Sequence, residues 1–350
     1  PRPQMVRDQW MNLNGIWDFE KSNEYGVYQP QQTFSRRVLV PFPIESALSG
    51  LMDVDYVQNA EKTLIYRTFF NLPPSYANKD VLLHFGAVDW ECAVFVNGSE
   101  VGRHRGAFDP FHFNITEALV QNGAQELQVH VIDPTNTGGQ PHGKQVVHPG
   151  GIYYTPISGI WQTVWIEPVE KFHIHDFKIT PDIDSESIIV NLTTNNQSEK
   201  MYATAIVAQD GNYENPIAVV DQFQIGVDQS IHISNPKLWS PDKPYLYDIK
   251  FELKDDEGVI DVVESYFGMR KISKAMINGN PCFMLNNNPL FHIGPLDQGY
   301  WPDGLYTPPS DEAMVFDLNQ IKSLGMNMVR KHVKVESARW YYHCDRLGLM

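Results

Sequence analysis

Residues 327–350 read Asn327-Met328-Val329-Arg330-Lys331-His332-Val333-Lys334-Val335-Glu336-Ser337-Ala338-Arg339-Trp340-Tyr341-Tyr342-His343-Cys344-Asp345-Arg346-Leu347-Gly348-Leu349-Met350. Asn327 to Val329 is a short apolar run of the buried-strand type, a polar turn follows, and Ser337 to Leu347 carries a helical pattern closed by Gly348. The residues upstream repeat that order. Phe291-His292-Ile293-Gly294 reads as a buried strand, preceded by a hairpin turn at Asn286-Asn287-Asn288-Pro289. Pro308-Pro309-Ser310-Asp311-Glu312 opens a helix, with Ser310 as N-cap and acids in the first turn, where the helix dipole favours them. Met314, Leu318, Ile321 and Leu324 recur at helical spacing and Gly325 ends the run. Strand-helix-strand-helix predicts a parallel α/β layer over 271–350.

Everything before that layer reads as β. Up to about residue 168, short alternating runs such as 64–70, 81–85, 92–96 and 127–131 are bounded by turn residues, and Asn97-Gly98 is a hairpin signal. Many short strands with Gly and Pro punctuation predict a jelly-roll-type sandwich over 1–168. The Gly- and Pro-rich loop from Pro134 to Pro156 is long enough to expect a functional or mobile segment. Asp133 and the loop histidines His142 and His148 are expected to cap the sandwich; the other reading has them reach the end of the α/β layer. Strands at regular spacing over 169–270 predict a small immunoglobulin-like sandwich. His173 and His175 alternate along one strand and lack a nearby third ligand, so a plain strand face is expected rather than a metal site.

The chain has 350 residues, 42% of them hydrophobic and 12% aromatic, enough for two or three domains with real cores at ~150 residues each. A formal net charge of −15 argues against a nucleic-acid partner, which needs a basic footprint. No apolar run is long enough to span a bilayer. Cys92, Cys282 and Cys344 supply neither a disulfide framework nor a CxxC metal pair. There is no Walker loop, GxSxG or HExxH, so no cofactor or metal is expected. Asn97-Gly98-Ser99, Asn114-Ile115-Thr116, Asn191-Leu192-Thr193 and Asn196-Gln197-Ser198 match glycosylation triplets without deciding anything, and the cell compartment stays open.

Motifs at both ends of the chain carry a family resemblance. They are Trp10-Met11-Asn12-Leu13-Asn14-Gly15-Ile16-Trp17-Asp18-Phe19, Pro41-Phe42-Pro43-Ile44-Glu45-Ser46, Ser158-Gly159-Ile160-Trp161 with Val164-Trp165-Ile166-Glu167, Leu238-Trp239-Ser240-Pro241 with Pro244-Tyr245-Leu246-Tyr247, and Phe267-Gly268-Met269-Arg270. The last and sharpest runs from Arg330 through Trp340, Tyr341 and Asp345 to Gly348. Together they resemble glycoside hydrolase family 2, which includes β-galactosidases, β-glucuronidases and β-mannosidases. His332 stands one residue before the position where the family carries a histidine, Val333 takes that position, and Val335 replaces a proline. The resemblance implies a jelly roll, an immunoglobulin-like sandwich and the start of a (β/α)₈ barrel, the fold being mainly β up to that point. It implies hydrolysis of β-linked sugars with retention, by two glutamates after the fourth and seventh barrel strands. The chain is expected to stop near the third strand, so that neither glutamate belongs to it and the fragment by itself is inactive. The competing reading is a non-catalytic carbohydrate-binding or assembly module.

Barrel active sites lie at the C-terminal ends of the strands. Beyond the first strand stand Asp297, Trp301 and Asp303: a carboxylate can accept two sugar hydroxyls, and Trp301 is either a stacking floor or a buried loop residue. Beyond the second stand Arg330 and His332, with Arg330 placed to orient a catalytic carboxylate or to pair inside the barrel. Lys334 and Glu336 are expected to form a solvated pair. The expected partner is a carbohydrate, with a second copy of the chain as a further possibility. An incomplete barrel would leave Ile293, Met328 and Val329 without partners and present an open strand edge.

Overall fold

The computed structural model describes residues 1–30, 32–56, 62–196 and 200–350, and its fold is mainly β. In the first part of the chain two antiparallel sheets face each other. One has six strands, in the order Arg36–Val40, Gly15–Ser22, Thr63–Phe70, Gln125–Ile132, Glu91–Val96, Ser99–Arg105. The other has four, Met11–Asn12, Val164–Val169, Asp80–Phe85 and Phe111–Asn114. Strand alternation explains the packing: Leu127, Val129 and Val131 are fully buried and join Trp17, Phe19, Tyr66, Leu83, Phe85 and Ile166 in one core. Asn97 and Gly98 both take positive φ (50° and 84°), the two-residue hairpin turn that their sequence favours. The Asn97 amide is itself structural, donating to the Ala118 carbonyl and to Gln125. Of the glycosylation triplets, Gln197 and Ser198 lie outside the described residues.

A second pair of sheets follows. Ile174–Asp182, Ser187–Thr194 and Gln229–His232 form one; Ala218–Phe223, Tyr202–Ala208, Tyr247–Asp255 and Gly258–Phe267 form the other. Their core holds Ile188, Val190, Leu192, Val207, Ile249, Phe251 and Val263. Arg7 clamps this unit to the first: its guanidinium donates to both oxygens of Asp261 (3.0 and 2.9 Å) and to Glu167 (3.1 Å), which also pairs with Arg2 at 2.7 Å. Burial pushes the Glu167 carboxyl up, but His84, Arg2 and Arg7 outweigh it and hold the group at about 2.

The first sandwich also buries three carboxyls close together. Ser158 donates from its N–H to Glu45 and from its hydroxyl to Asp133, at 2.9 and 2.8 Å, while Gln145 donates to Asp89 at 3.0 Å. None of the three residues is more than 4% exposed. Burial raises all of them: Asp133 to about 6 against its bonds to Ser158 and Thr135, Asp89 with help from the charge of Asp133, and Glu45 against its bonds to Ser158. A carboxyl whose pKa is raised by folding keeps in the native state a proton that the unfolded chain has released. Its stabilising effect is therefore present in acid and lost as pH rises through the folded pKa. Stability is expected to fall between about pH 4 and pH 6 by roughly 2 kcal/mol from Asp133. Urea melts across that window test this: Asp133→Asn should flatten the slope, and an unchanged slope would refute it. Glu167 acts with the opposite sign, but only below the ordinary glutamate range.

The last part departs from a run of sandwich strands. Ile272–Ile277, Asn280–Leu285 and Asn288–Pro289 form a small sheet whose turn uses Asn286 and Asn287 at positive φ (52° and 63°). Helix α1 (Asp311–Ser323) starts as predicted, with the Ser310 hydroxyl accepting from the Ala313 N–H at 3.2 Å. Helix α2 (Ala338–Leu347) ends at Gly348 in the left-handed region, φ 81°. Met314 and Leu318 of α1 pack on Trp340 and Cys344 of α2. The strands Leu296–Asp297, before α1, and Arg330–Lys331, between α1 and α2, pair in parallel, Leu296 opposite Arg330 and Asp297 opposite Lys331.

Three details correct the sequence reading. Residues 291–294 are not a buried strand: Phe291 is 83% exposed and Ile293 47%, and the ladder begins only at Leu296. The second strand likewise starts at Arg330 rather than Asn327. A parallel strand is buried when both of its faces are covered, and here much of that cover is absent. Leu324 closes α1 on the solvent side, 73% exposed, because it is the C-cap and not part of the packed stripe.

Candidate functional site

The C-terminal ends of the parallel pair run into the loops 298–310 and 332–337, and charged side chains of the strands and loops gather there. Asp297 Oδ1 accepts from the Gly299 N–H at 2.7 Å, and Oδ2 accepts from Lys331 Nζ at 2.6 Å. Lys331 Nζ also donates to Glu336 Oε1 at 2.8 Å and stands 4.3 Å from the centre of the Trp340 ring. Glu336 Oε1 lies 2.9 Å from Lys334 Nζ, which donates to the carbonyls of Gly299 and Tyr306 at 2.7 Å each. Lys334 is further packed against the Tyr306 and Trp161 rings, 4.6 and 5.5 Å from their centres.

Lys334 and Glu336 are therefore not a solvated pair: their side chains are 0% and 3% exposed. Two extra carbonyl acceptors and the aromatic walls make the site hospitable to an ammonium, and the first sandwich supplies one of those walls through Trp161. Burial still dominates Lys334 and brings its pKa down to about 8, although the Glu336 charge opposes this. For Lys331 the balance is reversed: burial lowers it, but Glu336 and Asp297 outweigh burial and raise it. These pairings were hidden in the sequence. The one available signal was the spacing Lys331, Lys334, Glu336 after a strand, which reads equally well as an exposed turn.

The other candidates separate. Trp301 is partly buried against the cluster of Met314, Leu318 and Trp340, and its backbone bonds Leu305 in both directions (2.7 and 3.1 Å). It packs from the loop against the helices. The Asp303 carbonyl accepts from the Leu48 N–H at 3.1 Å, which ties this loop to the first sandwich. Arg330 is exposed and its N–H donates to the Pro295 carbonyl at 3.0 Å; the His332 N–H donates to the Asp297 carbonyl at 2.8 Å. Asp133 is buried with Ser158 inside the sandwich, and His148 is exposed. The loop they frame nevertheless reaches the strand ends. The Tyr154 and Tyr300 rings lie 4.6 Å apart, and a Cβ on Gly143 would come within 2.5 Å of the Val333 carbonyl oxygen. His173 Nδ1–H donates to the Glu170 carbonyl (2.9 Å), and among the described residues no group of three or more His, Cys, Asp or Glu is arranged to hold a metal.

A large crevice of about 1550 Å³ lies elsewhere, between the outer face of the four-stranded sheet, the second sandwich and the starts of α1 and α2. Asp297, Arg330 and His332 do not line it, but Glu336 and Trp161 do, so it meets the strand-end cluster on the side away from Asp297.

Two sandwiches leading into a parallel βα layer, with charged residues gathered at its strand ends, are the architecture that the terminal motifs led us to expect. A family model for glycosyl hydrolases family 2 matches residues 172–270, and one for a glycosyl hydrolase 2 galactose-binding domain-like unit matches residues 38–155. The chain belongs to glycosyl hydrolase family 2. It is similar to a β-galactosidase of Thermoanaerobacter pseudethanolicus, 27% identical over 298 residues, covering 81% of this chain and 38% of the relative. It is similar also to a β-glucuronidase of Streptococcus agalactiae, 23% identical over 358 residues, covering 97% of this chain and 56% of that protein. Among solved structures, the β-glucuronidase of Ruminococcus gnavus in complex with D-glucuronic acid superposes with a TM-score of 0.81 at 18% identity, over 100% of this chain and 60% of that one. The chain thus spans only part of the length of each relative.

Proposed function

We propose that these residues are the N-terminal part of a retaining β-glycosidase that removes terminal β-linked sugars, β-galactosidase-like in its substrate. In this reading 1–168 is a jelly roll, 169–270 an immunoglobulin-like sandwich, and 271–350 the first βα units of a (β/α)₈ barrel whose remaining strands cover the exposed Phe291, Ile293 and Leu296. A second copy of the chain is the other candidate cover. The observation that carries the reading is the parallel pair itself: its C-terminal ends gather Asp297, Lys331 and Glu336 under a loop of the first sandwich, where barrel enzymes bind their substrates. Asp297, Arg330 and His332 are the proposed sugar-facing residues, with Trp301 and Asp303 bracing the loop beside them. Similarity to both galactosidases and glucuronidases supports the β-glycosidase class more strongly than the choice of sugar.

The test is hydrolysis by the full-length protein that carries these residues. It is expected to cleave at least one of the 4-nitrophenyl β-galactoside, β-glucuronide and β-mannoside, and proton NMR should detect the β-anomer first. First formation of the α-anomer would reject retention. Sugar binding without any turnover would favour a carbohydrate-binding module.

A further inference from the structure

The strand-end residues form a closed ring. Asp297 bonds Lys331, Lys331 bonds Glu336, and Glu336 pairs with Lys334. Lys334 bonds the Gly299 carbonyl, and the Gly299 N–H returns to Asp297. The ring is tight: Gly299 has φ +68°, and a Cβ there would sit 2.5 Å from Lys334 Cδ and 2.8 Å from Glu336 Oε1. Its exposure is graded. The side chains of Lys334, Glu336 and Lys331 are 0%, 3% and 9% exposed, whereas that of Asp297 is 32% exposed. The buried charges thus end in one carboxylate that solvent and ligands can reach.

We infer that Lys331 is a positioning residue: one ammonium, anchored from below by Glu336, which Lys334 holds in turn, that fixes the Asp297 carboxylate to accept two neighbouring hydroxyls of a glycoside. The inference rests on the sugar-site reading above and extends it from Asp297 to the residues behind it. Asp297 sits on a two-residue strand, which restrains its backbone but not the rotation of its carboxylate plane. A bidentate contact to a diol is lost when that plane turns, so its rotamer needs a second support. Lys331 supplies it from the paired position across the ladder, held at Oδ2 while the Gly299 N–H holds Oδ1. Each oxygen keeps an unused lone pair for a hydroxyl. Stability does not explain the arrangement, because buried ion networks are commonly no more stable than apolar packing of the same volume. Orientation of the exposed member does.

The experiment is a saturation-transfer NMR titration of the full-length protein with methyl β-D-galactopyranoside, methyl β-D-glucuronide and methyl β-D-mannopyranoside. The variants are Asp297→Asn, Lys331→Met, their combination, and Lys331→Arg. A hydrogen bond to a charged group predicts that Asp297→Asn and Lys331→Met each weaken the preferred sugar about 10-fold or more. The double variant should be no weaker than either single one, and Lys331→Arg, which can still bridge two carboxylates, should recover most of the affinity. If Lys331→Met does not fold, the charge-balanced pair Lys331→Met with Glu336→Gln is read in its place. Loss with Asp297→Asn but none with the Lys331 variants overturns the positioning role and leaves the sugar site standing. Additive losses also overturn it. No sugar binding by the parent protein, or full affinity in Asp297→Asn, overturns the sugar-site reading together with the inference.

Discussion

Supplied with 4-nitrophenyl β-galactoside, β-glucuronide or β-mannoside, residues 1–350 by themselves are expected to release no nitrophenol above the uncatalysed rate. Retaining hydrolysis needs two carboxyl groups ~5–5.5 Å apart across the scissile bond, one as nucleophile and one as acid/base. Asp297 and Glu336 are near each other, since both accept from Lys331, yet they cannot serve as that pair. Glu336 is 3% exposed and its Oε1 is pinned between two ammoniums, so it is not free to serve as either the nucleophile or the acid/base. The carboxyls of Glu45, Asp89 and Asp133 do hold protons more readily, but they are sealed inside the first sandwich. Loss of acid–base assistance by itself costs ~10²–10⁴-fold in rate, and loss of the nucleophile adds to this. Chromophore release that persists through further purification and disappears in Asp297→Asn would overturn the prediction.

Local signals were legible in the sequence wherever one residue decides a conformation. Asn97-Gly98 announced its hairpin, Ser310 its helix cap and Gly348 its helix end, each because few residues tolerate those backbone angles or supply that hydrogen bond. Alternation marked the sandwich strands because each has one face in a core. The same logic failed for 291–294, where Phe291 and Ile293 have the pattern of burial but no covering layer in the structure. The site was half legible. Asp297 and Arg330 could be placed close to the parallel pair by counting along the chain, although they stand on its strands rather than beyond them. The ring that holds Asp297 could not, because its links join residues 34 and 35 positions apart and close only through a glycine's N–H and carbonyl. Lys334 and Glu336 were misread as solvated for the same reason: charge suggests exposure until the aromatic walls of Trp161 and Tyr306 are in place. Trp161 lies in the first sandwich, far away in sequence, and no local pattern couples it to Lys334.

Removing the carboxylate that both lysines share should be among the most damaging single changes at this site. Glu336→Ala leaves Lys334 with two carbonyl acceptors and no counter-ion, and leaves Lys331 with Asp297 only. Breaking a buried pair by deleting one partner costs ~3–5 kcal/mol, because the remaining charge stays desolvated. Glu336→Gln should cost less, since it keeps an acceptor oxygen and the shape. The effect has a pH signature that cavity formation would not produce. In the parent protein Lys334 has a folded pKa of about 8, below the unfolded value of ~10.4. Between those values the unfolded chain binds more protons, so this group's contribution to stability rises with pH. Without Glu336 the folded pKa falls further, the native state sheds the proton nearer neutrality, and the deficit shrinks as pH rises. Native-state hydrogen exchange at the Arg330 and His332 amides, which bond the Pro295 and Asp297 carbonyls, reads the ring locally even when the sandwiches unfold separately. Protection there should drop most at pH 6–7 and partly recover by pH 9. A loss below about 1 kcal/mol, or one that does not vary with pH, would mean that Lys334 is not held as a buried cation by Glu336, and the ring would then lose its anchor.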